Sequence, residues 1–443
     1  MNIQRTKTRI LVGAAALGGV SALLAPASAS ASASVSVASP ASVAAPAQAS
    51  ASADSRVGQP QGGTLVSVKQ VADFTAEQVA AELSGEIDVS RVRYGVTAYQ
   101  VLYRTTNSAG APTTASQLLV LPKNRARHLS TVSWLHGTTV YRKDVASENP
   151  KSTDRLVALL FASTGRAVSA PDYVGLGAGE GFHPYGDPLA TVSASVDGLR
   201  AARTVAHRSG RELKRKVQVS GFSQGGPATM MVGRALQQES ADRYFRLGAL
   251  APVGGPFNLS AFEAAAANDE IEDKSALYLV YFATAWNKTY GLYKSPSEAF
   301  THDYAGIVEG LLNGNTTTDD IAKALPGRSA LLFQEDFLNK IRKPEGILKE
   351  KLRALDTTCD WRPNVPVEIF HAMGDKDVNS SHAAYCADQL TSNGAASRVT
   401  DVGDYDHNGS VRQAVPRIVD FFDASAKTGE AAVDRFRPVK ERQ

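Results

Sequence analysis

A serine lies between two glycines at the junction of a strand-like run and a helix-like run. Residues 216–220 are a short β-branched run, residues 221–225 read Gly-Phe-Ser-Gln-Gly, and Pro227 opens a helix-like stretch. The flanking glycines suit a sharp, strained turn with backbone passing close to it. The pattern predicts a nucleophile elbow, with Ser223 at its tip and the helix N-terminus facing the charge formed during attack. The alternative, a glycine-rich turn with an incidental serine, accounts less well for the strand and helix around it.

Strand-like and helix-like segments alternate along most of the chain, which is typical of an α/β fold. Several strand candidates are too apolar for an exposed sheet face, so we expect a mostly parallel central sheet with helices on both faces. The strand candidates are 95–104, 115–121, 130–135, 167–170, 216–220, 247–252 and 367–372, and the helix candidates are 153–163, 191–207, 227–238 and 381–391.

A long segment separates the last two of these strands. Roughly 110 residues lie between Pro252 and Val367, far more than an ordinary connection contains. The segment is helix-like and rich in aromatic residues, which predicts a helical cap inserted at residues 253–366. The core is then divided into residues 61–252 and 367–430. Most of the aromatic side chains should form the core of the cap itself, and a minority could line an acyl pocket.

The beginning of the chain has the pattern of a secretory signal peptide. Three basic residues precede an apolar run at 10–25, and Ala27-Ser28-Ala29 is a candidate cleavage site. The run is shorter than the roughly 20 residues that cross a bilayer, so we predict a cleaved signal at residues 1–29 and no stable membrane anchor. Residues 30–60, rich in Ala, Ser, Val and Pro, are predicted to be a flexible leader. The protein is therefore expected to be secreted.

Charge and cysteine content indicate which partners, cross-links and metal sites to expect. Without residues 1–29 the chain has 44 basic and 44 acidic side chains, so no nucleic-acid partner is expected. Its two cysteines, Cys359 and Cys386, are predicted to form one disulfide in an oxidising compartment, with two free buried thiols as the alternative. No metal site is expected, because no Cys-x-x-Cys or His-x-x-x-His spacing occurs.

The base of the expected triad should be a histidine that follows both the serine and the acid. His407 is the prediction, because it lies in a polar loop, 404–410, after a strand-like run where an imidazole could meet the serine. The other histidines after Ser223 fit less well. His302 precedes the acid, His371 lies inside a strand, and His382 begins a helix too soon after the acid.

Two aspartates follow the predicted strand 367–372, at the carboxyl end where catalytic groups of parallel sheets gather. Asp375 comes first and is preferred as the triad acid. Asp377 is its rival, because either carboxylate could accept the Nδ1–H of the imidazole.

Two backbone amides are needed to stabilise the oxyanion. The first should belong to Gln224, the residue after the nucleophile. The second is expected in the loop after the predicted strand 130–135, which reads His136-Gly137-Thr138-Thr139, with Thr138 as the candidate. An ordinary strand-to-loop glycine at this position is the alternative.

Taken together, these motifs resemble the secretory lipase family of α/β-hydrolases, the lipase A type with its bacterial relatives. The resemblance runs from about residue 65 to about residue 425 in the same order. It implies an α/β-hydrolase fold with a helical lid between two core strands. The matching motifs are His136-Gly-Thr138, Pro171-Asp-Tyr-Val-Gly-Leu-Gly177, Gly221-Phe-Ser-Gln-Gly-Gly226 and His371-Ala-Met-Gly-Asp375-x-x-Val378.

In that family the acid stands four residues after the histidine of the strand, so the resemblance favours Asp375 over Asp377. Relatives often have His-Gly, and a proline after the valine, where this chain has His371-Ala372 and Val378-Asn379. The predicted function is hydrolysis of a small-molecule or lipid ester without cofactor. The rivals are a secreted peptidase or acyltransferase with the same triad, and a non-catalytic binding protein on the same fold.

Overall fold

The structure is a computed structural model that describes residues 62–239, 241–271 and 274–434, with side chains as far as Lys427. The predicted signal peptide, residues 1–29, and the predicted leader, residues 30–60, lie outside the described residues. Within the described part, no helix is both long enough and apolar enough to cross a membrane.

Nine strands form one sheet in the described part of the chain. The strands are β1 (Leu65–Phe74), β2 (Val96–Thr106), β3 (Pro112–Pro122), β4 (His128–Leu135), β5 (Ala167–Val174), β6 (Glu212–Phe222), β7 (Arg246–Val253), β8 (Glu368–His371) and β9 (Arg398–Asp401).

Within the residues that the structure describes, fifteen α-helices and a single-turn 3-10 helix at Val89–Arg91 accompany the sheet. The helices are α1 (Ala76–Leu83), α2 (Thr153–Ser163), α3 (Pro188–Arg208), α4 (Gly225–Gln237), α5 (Leu259–Ala267), α6 (Ser275–Tyr290), α7 (Pro296–Ala299), α8 (His302–Ala305), α9 (Val308–Leu311), α10 (Thr318–Ala324), α11 (Ser329–Leu332), α12 (Glu335–Arg342), α13 (Gly346–Asp356), α14 (Ser381–Ser392) and α15 (His407–Asp434).

The sheet order is β1-β2-β3-β5-β4-β6-β7-β8-β9. The pairs from β1 through β2 and β3 to β5 are antiparallel. The pairs from β5 through β4, β6, β7 and β8 to β9 are parallel. The predicted mostly parallel sheet is therefore confirmed. Because the parallel strands share one direction, the segments that follow β4, β6, β8 and β9 emerge at the same edge, and the candidate site residues lie there.

Two hydrophobic layers cover the sheet. Helices α3, α4 and α14 pack on one face, and α1, α2 and α15 pack on the other. Strand β4 supplies both layers by the alternation of its side chains, with Leu129 and Leu135 in one and Val132 and Trp134 in the other. Helices on both faces of a mostly parallel sheet match the predicted fold class.

The segment between β7 and β8 contains helices α5 to α13 and is named here the helical insertion. It has a hydrophobic cluster of its own, in which the rings of Phe282 and Trp286 pack together with centroids 4.3 Å apart. Tyr185 from the loop before α3 belongs to the same cluster. The aromatic residues of this segment therefore mostly form its own core, as expected. The division of the chain into core and cap at 253 and 366 stays a prediction.

Each of the seven strand candidates and four helix candidates overlaps an element of the structure. The sequence reading missed β1, which pairs with β2 alone and is largely exposed, so it lacks the apolar run of a buried strand. It also placed a polar loop at 404–410, where α15 begins at His407. Asp406 caps that helix by accepting from the amide of Gly409 at 2.6 Å. The polar residues there form a helix start.

The predicted disulfide is confirmed, since Cys359 and Cys386 are bonded and fully buried. It closes a sequence separation of 27 residues between the end of the helical insertion and α14. Replacing both cysteines with serine should therefore lower the free energy of unfolding by about 3 to 4 kcal/mol in the chain-entropy model. Urea unfolding of both proteins measures the change, and equal midpoints at equal m-values would contradict it.

Candidate active site

Ser223 occupies a strained turn at the end of strand β6, which lies in the interior of the sheet between β4 and β7. Its φ of 55° lies in the left-handed region, which side chains other than glycine rarely adopt. The amide of Ser223 donates to the carbonyl of Val253 on β7 at 3.0 Å. A Cβ on Gly225 would stand 2.0 Å from the carbonyl oxygen of Leu135, so only glycine allows α4 to begin this close to β4. These contacts hold the serine at the carboxyl edge of the sheet.

Asp375 and His407 form a buried hydrogen-bonded pair. Oδ2 of Asp375 lies 2.7 Å from Nδ1 of His407, and the aspartate side chain is fully enclosed. The other oxygen, Oδ1, accepts from the amides of Asp377 and Val378 at 3.0 and 2.9 Å. A carboxylate held in this way orients the imidazole and favours the tautomer with the proton on Nδ1.

His407 is the first residue of α15, and its ring packs against Phe222, the residue before the serine, with ring centroids 4.5 Å apart. Its Nε2 atom is buried and has no hydrogen-bond partner among the described residues. The hydrogen bond from Ser223 to this nitrogen is therefore not formed in this structure. Catalytic hydrogen bonds are often long or poorly aligned in the absence of substrate. The ring is held through Nδ1, and Nε2 remains available to a proton donor.

Asp377, the rival acid, points elsewhere. Its carboxylate accepts from Nζ of Lys274 at 2.7 Å and from the hydroxyl of Tyr278 at 2.8 Å, and both partners belong to the helical insertion. The structure thus brings Asp375, and not Asp377, to His407. Asp377 connects the loop after β8 to the insertion.

The loop after β4 carries Thr138, the candidate second oxyanion donor. Its hydroxyl lies 3.1 Å from the hydroxyl of Tyr185, and the hydroxyl of Tyr281 on α6 donates to the carbonyl of Thr139 at 2.9 Å. The backbone amides of Thr138 and Gln224 donate to no other described residue. Neither amide therefore has an internal acceptor in the described part of the chain, and the insertion supports the loop that carries Thr138.

Asp172 ties this loop to the sheet. Its carboxylate is fully buried and accepts from the hydroxyls of Ser116 and Ser147, each at 2.6 Å, and from the amide of Ser147. Burial raises the pKa of Asp172, and the two serine hydroxyls act in the opposite direction. His136 contacts the carbonyl of the same residue through Nε2 at 3.1 Å. Asp172 thus connects the loop after β4 to strands β3 and β5, which is a structural role.

His183 is a site residue that the sequence reading missed. Its Nδ1 donates to the carbonyl of Val174 at 3.0 Å, and its Nε2 lies 3.2 Å from Nε2 of Gln224. Since Nδ1 carries the proton, Nε2 accepts from the amide side chain of Gln224. His183 therefore fixes the residue that follows the nucleophile. No motif marked it, because an isolated histidine in a loop has no local pattern.

Burial lowers the pKa of His183 from the usual 6.5 of a histidine to about 3. Between those values the unfolded chain binds more protons, so stability is greatest above pH 6.5 and falls as the pH falls. We expect this group to remove about 2 kcal/mol of unfolding free energy between pH 7 and pH 5. His183→Gln should reduce that pH dependence in urea unfolding, whereas the exposed control His302→Gln should not. Equal pH dependence in wild type and His183→Gln would contradict the expectation.

The other three histidines that follow Ser223 in the sequence do not take part in the predicted triad. His371 is enclosed in β8, and His302 is fully exposed on α8. His382 on α14 accepts from the amide of Asn258 at 3.3 Å, and burial lowers its pKa to about 4. None of the three contacts Asp375 by a hydrogen bond in the described part of the chain.

A narrow apolar cavity of about 30 Å³ adjoins the residue after the nucleophile. Gln224 and Tyr185 form part of its wall, together with Met231 of α4, Leu259 of α5 and Leu355 of α13. Core and helical insertion therefore both line it.

A mostly parallel sheet with helices on both faces and a serine elbow after an interior parallel strand defines an α/β-hydrolase. The model of the secretory lipase family matches residues 151–424. The chain belongs to the secretory lipase family, and it is thus a hydrolase of the lipase and esterase class. No curated protein matches it.

Solved structures share the fold. A candidate hydrolase from Legionella pneumophila is 25% identical, with a TM-score of 0.74 over 82% of this chain and 98% of that one. A rice cell wall degrading esterase, LipA from Xanthomonas oryzae, is 24% identical, with a TM-score of 0.71 over 85% of this chain and 100% of that one. Lipase A from Candida antarctica is 16% identical, with a TM-score of 0.57 over 78% of each chain.

Proposed function

We propose that the protein is a secreted serine esterase or lipase that hydrolyses carboxylic esters through an acyl-enzyme on Ser223. The observation that carries the proposal is the buried hydrogen bond of 2.7 Å between Asp375 and His407, whose ring packs beside the strained serine turn. Membership of the secretory lipase family supports the ester as the substrate class.

In the proposed mechanism His407 takes the proton of the Ser223 hydroxyl through Nε2 as the oxygen attacks the ester carbonyl. The amides of Gln224 and Thr138 stabilise the oxyanion, and Asp375 stabilises the imidazolium. Collapse of the tetrahedral intermediate passes the proton from Nε2 to the leaving alcohol. Water then attacks the acyl-enzyme with His407 again as base, which releases the acid and regenerates the serine.

Secretion is part of the proposal. The positive, apolar and small-residue order of residues 1–29 supports a cleaved signal peptide. The bond between Cys359 and Cys386 supports an oxidising compartment. Mass spectrometry of the protein recovered from culture medium tests this directly. We expect a new N-terminus close to residue 30, whereas an intact first segment on a cell-retained protein would contradict it.

A substrate panel tests the activity against its rivals. Purified mature protein is assayed on p-nitrophenyl esters of increasing chain length, on triglycerides and on aminoacyl amides, with and without an added acceptor alcohol. Ester hydrolysis well above amide hydrolysis, with free acid as the main product, is expected. Preferential amide cleavage would favour a peptidase, and transfer to the alcohol in place of water would favour an acyltransferase.

A further inference from the structure

Three buried aromatic side chains stand together beside the two candidate oxyanion amides. His183 and Tyr185 belong to the loop before α3, and Tyr281 belongs to α6 of the helical insertion. The ring centroids of Tyr185 and Tyr281 are 5.0 Å apart, and each of them lies 6.3 Å from the centroid of His183. These three residues are named here the aromatic cluster.

Two members of the aromatic cluster hold the loop after β4. The hydroxyl of Tyr185 lies 3.1 Å from the hydroxyl of Thr138, and the hydroxyl of Tyr281 donates to the carbonyl of Thr139 at 2.9 Å. One contact is made to a side chain and the other to the backbone of the next residue. Together they fix both the position and the orientation of the segment that carries the Thr138 amide.

The third member of the aromatic cluster holds the other side of the expected oxyanion hole. Nε2 of His183 accepts from the side chain of Gln224, the residue after the nucleophile, at 3.2 Å. The orientation of the imidazole is set by Nδ1, which donates to the carbonyl of Val174 at 3.0 Å. The aromatic cluster therefore connects two segments that follow different strands of the sheet, the loop after β4 and the start of α4.

Helix α6 is a common support for these contacts. Besides the bond from Tyr281, Nε1 of Trp286 donates to the carbonyl of Tyr185 at 2.9 Å. The hydroxyl of Tyr290 donates to the carboxylate of Asp187 at 2.6 Å. The loop before α3 and the loop after β4 are therefore both attached to one helix of the insertion.

We propose that the aromatic cluster is a positioning unit that sets the distance between the amides of Gln224 and Thr138. The inference rests on the proposed ester hydrolysis at Ser223 and gives the helical insertion a part in the chemical step. An oxyanion is fully stabilised only when its donors already stand where the charge develops. Packing alone would require no polar atoms in this buried contact, yet each of the three side chains uses a polar atom to hold one of the two segments.

Tyr281→Phe tests the positioning role, because it removes the hydroxyl that holds Thr139 and keeps the ring. We expect kcat and kcat/KM for a p-nitrophenyl ester to fall together by about 10-fold with KM unchanged, since a displaced donor loses part of its contribution to the transition state. Tyr185→Phe should act in the same direction, and it provides the comparison if Tyr281→Phe does not fold. The matched control is Tyr293→Phe, whose buried hydroxyl contacts Glu309 within the insertion, and it should keep the wild-type kinetics.

A double-mutant cycle tests whether the members act as one unit. His183→Phe keeps an aromatic ring but removes the acceptor for the side chain of Gln224. If the aromatic cluster sets one distance, either change releases it, so His183→Phe combined with Tyr281→Phe should lose little more kcat than the more damaging single variant. A loss equal to the product of the two single effects would overturn the inference, because the residues would then be independent supports.

Binding of a transition-state analogue separates positioning from stability. A trifluoromethyl ketone adds to a serine hydroxyl and forms an oxyanion, so its Ki should rise in Tyr281→Phe by about the factor by which kcat falls. The dissociation constant of the intact ester, measured on the Ser223→Ala background, should be the same with and without Tyr281→Phe. A higher KM with unchanged kcat, or a lower Tm with unchanged kinetics, would overturn the inference. Hydrolysis by Ser223→Ala would instead overturn the proposed function.

Discussion

Ser223→Ala is expected to lower kcat for a p-nitrophenyl ester by about 10⁵-fold or more, because the acyl-enzyme can no longer form. The residual rate should come from the oxyanion amides and substrate binding alone. The change removes only the hydroxyl oxygen. Alanine can adopt the φ of 55° about as readily as serine, so the fold should be unaffected. Steady-state kinetics on freshly purified protein, with circular dichroism and Tm measured in parallel, provides the comparison.

The matched control is Ser297→Ala, which removes an exposed hydroxyl from the helical insertion. It should keep the wild-type kcat and KM. A correctly folded Ser223→Ala protein with undiminished turnover would show that another nucleophile, or none, acts in this protein.

Asp375→Asn is the second large effect, and we expect kcat to fall by about 10⁴-fold. An amide in place of the carboxylate no longer requires the proton on Nδ1 of His407 and cannot stabilise the imidazolium. The amides of residues 377 and 378 would still find an oxygen acceptor, so the loop after β8 should keep its shape. The pH profile of kcat/KM measured beside kcat distinguishes a lost base from a shifted loop.

Asp377→Asn is the internal control, because it makes the same chemical change two residues away. It weakens the contacts with Lys274 and Tyr278 but leaves the pair formed by Asp375 and His407 untouched. A loss of kcat below 10-fold is expected, as for a partly exposed ion pair. If Asp377→Asn proved far more damaging than Asp375→Asn, the assignment of the acid would be reversed.

Local patterns in the sequence predicted the parts of the site that depend on local geometry. The serine turn needs glycines on both sides and a strand and helix around it, and all of these lie within a dozen neighbouring residues. The pairing of Asp375 with His407 required only that two loops follow parallel strands, since such loops meet at one edge of a sheet. The choice between Asp375 and Asp377 is different, because it depends on which carboxylate turns towards α15 and which towards the helical insertion.

Other features left no trace in the sequence. His183 is a single polar residue without neighbours of a recognisable spacing, and its role depends on burial beside segments that are distant in the chain. Strand β1 was missed because an exposed edge strand has no buried face to impose an apolar pattern. The start of α15 was assigned to a loop because Asn408 and Gly409 are poor helix formers, and the cap by Asp406 and the packed remainder of the helix outweigh that preference.

Labelling with a serine-directed fluorophosphonate, followed by peptide mapping, tests the catalytic role of Ser223 most directly. We expect one adduct, on the peptide that contains Ser223, which is absent in Ser223→Ala and forms far more slowly in His407→Ala. An active, folded protein that acquires its adduct on another residue, or that hydrolyses esters while remaining unlabelled, would contradict the proposed triad.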